Sequence, residues 1–186
     1  METMIGRAKD ILFEPRPTFK EVDTEFTQSG TIWGKYVLPL ALLGPLAGAI
    51  GRVVFGGALQ SERASINGAV MYFVVSVIVT LLAVFVLAQL IGLLAPGFGG
   101  QKNDVQALKV AAYASTPALV AAVLNIHPMF WWLSAIISLY SLYLLYLGLP
   151  VLMKVPKDRA MGYTAVVIIL AVVIFLLERV KEYVRF

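Results

Sequence analysis

Few side chains in this chain could perform chemistry, and they do not form a known catalytic pattern. The 186 residues include no cysteine, which excludes a thiolate catalyst and a cysteine-ligated metal. No HExxH, GxSxG or phosphate-binding loop occurs, and no apolar stretch contains a pair of acidic residues, although catalysis needs groups that hold or move charge. The single histidine, His127, lies in a short turn without other metal ligands, so we interpret it as an interfacial histidine. The sequence therefore predicts a protein that is not an enzyme and binds no cofactor or metal.

One group of polar side chains lies within an apolar stretch. Lys109, Tyr113 and Thr116 fall on one side of a predicted helix, beside Pro117. These residues, together with Tyr143 of the following helix, form the candidate polar pocket. A charge inside a membrane segment is a functional hypothesis by default. Because Lys109 lies only one turn from the predicted start of its helix, we favour the interpretation that its side chain snorkels to the headgroups.

The composition indicates that these residues lie in a membrane. The chain is 60% hydrophobic and only 14% charged, whereas a typical soluble domain is about 25% charged. No charged residue occurs between Lys109 and Lys154, and since a span needs about 20 apolar residues, this interval holds two spans. The basic residues lie at the ends of apolar runs, which is typical of a protein in contact with anionic lipid. We therefore predict the lipid bilayer as a partner and exclude nucleic acid.

Applied to the whole chain, this reasoning predicts an all-α polytopic membrane protein with five transmembrane helices. The predicted spans, numbered 1 to 5, cover residues 32–55, 68–94, 104–124, 129–149 and 160–177. Residues 1–30 contain many charges and no long apolar run, which indicates a cytosolic or interfacial segment with short helices. The membrane domain then comprises residues 31–186. Thr18 followed by Glu21 matches a capping box and predicts a helix start at Thr18.

Small residues predict where the helices pack closely. Gly44 and Gly48 form a GxxxG pattern on span 1, which lets another backbone approach. We favour packing within the chain over a homodimer face, because four other helices need contacts. On span 4, Ser134, Ser138 and Ser141 share a face. Since a short turn makes spans 3 and 4 antiparallel neighbours, we expect this face to meet the alanine stripe of span 3, which consists of Ala107, Ala111, Ala114, Ala118 and Ala122.

The distribution of basic residues predicts the orientation of the chain. With the N-terminus inside, ten of the fifteen Lys and Arg residues are cytosolic: Arg7, Lys9, Arg16, Lys20, Lys35, Lys102, Lys109, Lys154, Lys157 and Arg159. The other side holds Arg52, Arg63, Arg179, Lys181 and Arg185. The positive-inside rule then predicts a cytoplasmic N-terminus and a C-terminus on the opposite side.

Several short motifs carry a family resemblance. They are Gly44-Pro45-Leu46, Ala112-Tyr113-Ala114-Ser115-Thr116-Pro117, the run from Tyr143 to Pro150, and Gly162-Tyr163 after a basic loop. In this order they resemble the bacterial branch of the Yip1 family of polytopic membrane proteins, from about Ile11 onward. The resemblance implies five spans, a cytosolic N-terminus and a place in the bacterial cytoplasmic membrane. Eukaryotic members act in vesicle traffic and bind Rab GTPases and partner membrane proteins. This chain lacks their long cytosolic N-terminal region, so the resemblance does not extend to Rab binding.

Two functions remain open. The first is a non-enzymatic adaptor or scaffold that acts through helix–helix and membrane interactions, with other membrane proteins or a second copy as partners. The alternative is a small channel or transporter with a polar site between spans 3 and 4 and their neighbours. Transporters usually have paired charges or broken helices near the midplane. Pro117 supplies a break, but paired charges are absent, so we favour the adaptor.

Overall fold

The computed structural model describes residues 3–56 and 64–180, and every regular element in these ranges is helical. Within the last helix, the side chains of residues 174, 175 and 177–180 lie outside the described set. The elements are α1 (Met4–Phe13), α2 (Pro15–Thr24), α3 (Ser29–Ile32), a π-helical turn (Trp33–Val37), α4 (Leu38–Val54), α5 (Ile66–Leu94), a 3-10 turn (Ala95–Phe98), α6 (Asp104–Ala114), α7 (Thr116–Ala121), two further 3-10 turns (Ala122–Ile126 and Pro128–Phe130), α8 (Trp131–Leu152) and α9 (Lys157–Val180).

Continuous helical stretches in the described ranges account for spans 1 to 4. Those that are long and apolar enough to cross a membrane are Ser29–Val54, Ile66–Phe98, Asp104–Ile126 and Pro128–Leu152. The fifth predicted span falls on α9, which has 24 residues, packs against α5 and α8 and contains no charged residue from 160 to 177. The predicted fold class, an all-α polytopic membrane protein with a short N-terminal helical segment, is confirmed.

The two N-terminal helices differ in one respect from the prediction. A start at Thr18 was expected, but α2 begins at Pro15, because proline needs no N–H partner at the first helical position and its φ angle already suits a helix. Thr18 is therefore inside the helix, where its hydroxyl donates to the carbonyl of Glu14 at 2.7 Å. The predicted capping box at Thr18 and Glu21 is wrong.

Glycines on span 1 set its distance from its neighbours. A Cβ placed on Gly44 would overlap the Cβ of Ala122 in span 3, and one on Gly48 would lie 2.8 Å from the hydroxyl oxygen of Tyr72 in α5. In lipid, where apolar surface gives little driving force between helices, such close backbone approach supplies van der Waals contact. Both glycines of the GxxxG pattern therefore pack within the chain.

We expect Gly44→Ala to lower the melting temperature of the protein in detergent. The added methyl group meets Ala122, whose Cβ cannot rotate away, and overpacking costs about 1–3 kcal/mol. That exceeds the roughly 1 kcal/mol that alanine gains over glycine in a helix. Gly34→Ala is the control in the same span, since a Cβ there has no atom within 4 Å. Equal melting temperatures for the two variants would contradict the close contact.

Candidate functional site

The N-terminal segment, which comprises α1, α2 and the linker to residue 28, packs onto one end of the helical bundle. Its apolar residues Ile11, Phe19 and Val22 are at most 1% exposed. The ring of Phe19 lies against α8 at Gly148, where a Cβ would be 2.7 Å from a ring carbon. Glycine is needed here because any side chain would displace the ring. The segment is therefore part of the protein core.

Lys109 of span 3 binds the carboxyl end of α2. Its ammonium group donates to the carbonyl of Val22 at 2.8 Å and to that of Glu25 at 2.6 Å. The last carbonyls of a helix lack intrahelical partners and carry the negative end of its dipole, so a cation stabilises them. Because Lys109 is only 1% exposed, its side chain does not snorkel to solvent. The favoured interpretation of Lys109 from the sequence is corrected accordingly.

Two more polar residues of the bundle bind carbonyls of the N-terminal segment. The side-chain amide of Gln106 donates to the carbonyl of Asp23 at 3.0 Å, and the hydroxyl of Tyr140 donates to the carbonyl of Leu12, near the end of α1, at 3.0 Å. We call Gln106, Lys109 and Tyr140 the docking residues. They supply donors to the carboxyl ends of both N-terminal helices, where carbonyls would otherwise need water.

Ion pairs strengthen the same arrangement. The guanidinium of Arg7 pairs with Glu25 and lies 3.6 Å from a carboxylate oxygen of Glu21. Lys154, in the loop after α8, pairs with Asp23. Charge-assisted hydrogen bonds of this kind are about twice as strong as neutral ones. Together they connect α1 to the end of α2, and α2 to the loop that follows span 4.

Basic side chains gather at this end of the bundle. The loop before α6 bonds to the loop after α8, through the N–H of Gln101 and the carbonyl of Met153 at 2.9 Å. The exposed cations at this end include Lys9, Arg16, Lys20, Lys35, Lys102, Lys154, Lys157 and Arg159. The three segments predicted to be cytosolic thus lie together.

Three polar residues beside Pro117, namely Tyr36, Tyr113 and Thr116, form a buried cluster. Span 3 breaks between α6 and α7 at Ser115, because Pro117 cannot donate to the helix ladder. The hydroxyls of Thr116 and Tyr36 lie 2.7 Å apart, and the ring of Tyr36 packs edge-on against that of Tyr113, with centroids 4.9 Å apart. This buried cluster joins span 1 to the break in span 3.

The structure brings together only part of the candidate polar pocket. Lys109, Tyr113, Thr116 and Pro117 are buried in span 3, whereas Tyr143 is 41% exposed and packs beside Tyr140. Of these five residues, Tyr113 alone lines a cavity of about 530 Å³ between the N-terminal segment and the start of span 1.

A second cavity, of about 280 Å³, lies among spans 2, 3 and 4 and α9. Ser138 and Ser141 line it together with Ala114 and Ala118 of the alanine stripe, while Ser134 is buried and accepts a hydrogen bond from Ser138 at 2.7 Å through its carbonyl. The polar groups of this lining are hydroxyls, and none of its described side chains is ionisable. The serine face and the alanine stripe thus share one apolar cavity.

Sequence reasoning missed Gln106, Tyr36 and Tyr140 as partners of the site. One signal was present: Gln106 and Lys109 are three residues apart, hence neighbours on one helix face, and two adjacent polar side chains in a membrane helix need a polar partner. No local pattern points to Tyr36, whose partner Thr116 is 80 residues away.

The fold and the site define an integral membrane protein: a bundle of apolar helices with an N-terminal segment docked on one end. The model of the Yip1 domain matches residues 9–177. Because the match covers most of the chain, the protein belongs to the Yip1 family, which confirms the resemblance read from the motifs. No curated protein and no solved structure matches the chain significantly.

We expect Lys109→Met to loosen the N-terminal segment. Methionine has a similar length but no donor, so the carbonyls of Val22 and Glu25 lose their charged partner at a cost of about 1–3 kcal/mol. Opening of the segment should then increase on the order of tenfold, measured as the rate of trypsin cleavage after Lys20 in detergent. The control is Lys102→Met, an exposed lysine at the same end. Equal cleavage rates in both variants would show that Lys109 does not hold the segment.

Proposed function

We propose that this Yip1-family protein is a non-enzymatic membrane adaptor that presents its N-terminal segment to other membrane proteins. The observation that supports the proposal is the docking of the segment by Gln106, Lys109 and Tyr140. A segment fixed in this way has a defined outer surface. Preorganised surfaces bind with a smaller loss of conformational entropy than disordered ones.

The outer surface of the segment has the composition of an interaction site. Phe13 of α1 and Phe26 of the linker after α2 keep 76% and 100% of their surface exposed, and Lys9 of α1 and Lys20 of α2 are exposed on the same segment. Aromatic residues are enriched in protein interfaces, and exposed apolar side chains rimmed by charge are typical of binding surfaces. The partner is another membrane protein or a second copy of this chain.

The alternative, a small channel or transporter, has one supporting observation. The break in span 3 at Ser115 lies on the cavity of about 280 Å³, since Ser115 is part of its lining, and broken helices are common at transport sites. The rest of that lining offers hydroxyls and apolar groups, and none of its described side chains carries a charge that would replace the water around an ion. The adaptor is therefore the better-supported function.

Photocrosslinking distinguishes the two functions. With a photoreactive amino acid in place of Phe13, we expect discrete protein crosslinks in native membranes, and we expect Lys109→Met to weaken them by loosening the segment. The same photoreactive residue at Leu82, a 53% exposed position on α5, is the control for random collisions in lipid. Identical patterns at both positions, together with solute flux in reconstituted liposomes, would favour the transporter.

We also propose that the protein lies in a bacterial cytoplasmic membrane with its N-terminus inside and its C-terminus outside. The clustering of exposed cations beside the N-terminal segment supports this orientation under the positive-inside rule. A reporter enzyme that is active only outside the cytoplasm should be active when fused to the C-terminus and inactive when fused to the N-terminus. A C-terminal fusion that is active only in the cytoplasm would contradict the orientation.

A further inference from the structure

The cavity of about 530 Å³ between the N-terminal segment and the start of span 1 has the size of a ligand site. Its walls come from α1, from the linker after α2, from α3, from the π-helical turn and from α6. The π-helical turn Trp33–Val37 contributes Lys35 and Tyr36 to the lining. π-Helical turns are rare in proteins, and those that do occur are often found at functional sites.

The charges that line this cavity favour an anion. Arg7 and Lys35 are its basic residues and Glu25 is its acidic residue among the described side chains. Glu25 already pairs with Arg7, which is 7% exposed. The lining therefore keeps one net positive charge, at Lys35, whose side chain is exposed. A ligand with one negative charge would balance it.

The uncharged part of the lining fits an amphiphile better than a small ion. Thr27 and Thr31 offer hydroxyl groups, which donate to phosphate oxygens. Met4, at the start of α1, and the exposed Phe26 contribute apolar surface to the same lining, which a bare phosphate would leave unused. The cavity thus combines a cation, hydroxyls and apolar groups, as the headgroup and glycerol region of a lipid requires.

The position of the cavity agrees with a headgroup. Span 1 begins at Ser29. Lys35 lies within its first two turns, about 9 Å along the helix axis from Ser29. The exposed cations of the N-terminal segment lie at the same end of the bundle. Basic pockets between membrane helices at this level bind the headgroups of anionic lipids.

We propose that this cavity binds the phosphate headgroup of an anionic phospholipid. The lipid contacts both span 1 and the N-terminal segment, so its binding stabilises the docked segment. This site goes beyond the adaptor function, because lipid binding can be measured without any protein partner.

The test is a titration of the purified full-length protein in detergent with phosphatidylglycerol, followed by native mass spectrometry. We expect Lys35→Ala to weaken phosphatidylglycerol binding about tenfold, because a charge-assisted contact is lost, and Lys35→Arg to retain it. Lys20→Ala removes an exposed cation of α2 that does not line the cavity and should bind like the wild type. Melting temperatures verify that each variant is folded.

Three results would overturn the proposal. Equal weakening by Lys35→Ala and Lys20→Ala would mean that the lipid binds through general surface charge. Equal affinity for phosphatidylcholine and phosphatidylglycerol would remove the role of the net negative charge. If inorganic phosphate displaces phosphatidylglycerol at the concentration of the lipid itself, the site recognises free phosphate, and the apolar wall contributes nothing.

Discussion

The arrangement of the N-terminal segment depends on a mutual requirement between one ammonium group and two carbonyl groups. Lys109 is buried in a bundle that lies in lipid, where an unpaired charge is very unfavourable. The carbonyls of Val22 and Glu25, at the end of α2, lack helical partners and need donors. The ammonium group of Lys109 donates to both carbonyls, so the charge and the carbonyls are hydrogen-bond partners of each other. Gln106 and Tyr140 repeat this principle with neutral donors, so polar side chains of the bundle select the place of the segment, and apolar residues such as Phe19 fill the contact.

Within the bundle, small residues decide which helices touch. Gly44 brings span 1 against Ala122, and Gly148 receives the ring of Phe19. In lipid the hydrophobic effect does not distinguish one apolar helix face from another, so backbone proximity and hydrogen bonds supply the specificity. The bond between Tyr36 and Thr116 adds a polar contact at the break in span 3.

The fold class followed from the sequence because long intervals without charge leave few alternative structures for the chain.

The candidate site could not be predicted from the sequence, for reasons that particular residues make clear. The partners of Lys109 are backbone carbonyls more than 80 residues away, and backbone groups leave no side-chain pattern to detect. Tyr140 and Tyr143 are on the same side of one helix by spacing, yet the hydroxyl of Tyr140 reaches the carbonyl of Leu12, whereas Tyr143 stays 41% exposed. The start of α2 was misplaced because Pro15 is a better first residue than the sequence motif at Thr18 suggested. Cavities arise where side chains leave space, which spacing along a helix does not reveal.

The long sequence separations of the docking contacts have a consequence for biosynthesis. The N-terminal segment is the first part of the described chain to leave the ribosome, but its partners Lys109, Tyr140 and Lys154 follow 84 to 131 residues later. Gly148, against which the ring of Phe19 packs, also belongs to span 4. Since chains are made from the N-terminus at about 5–20 residues per second, the segment waits about 4 to 26 seconds for the residues that bind it. Within the described chain the segment is thus made early, but its contacts can be completed only after span 4 has been synthesised.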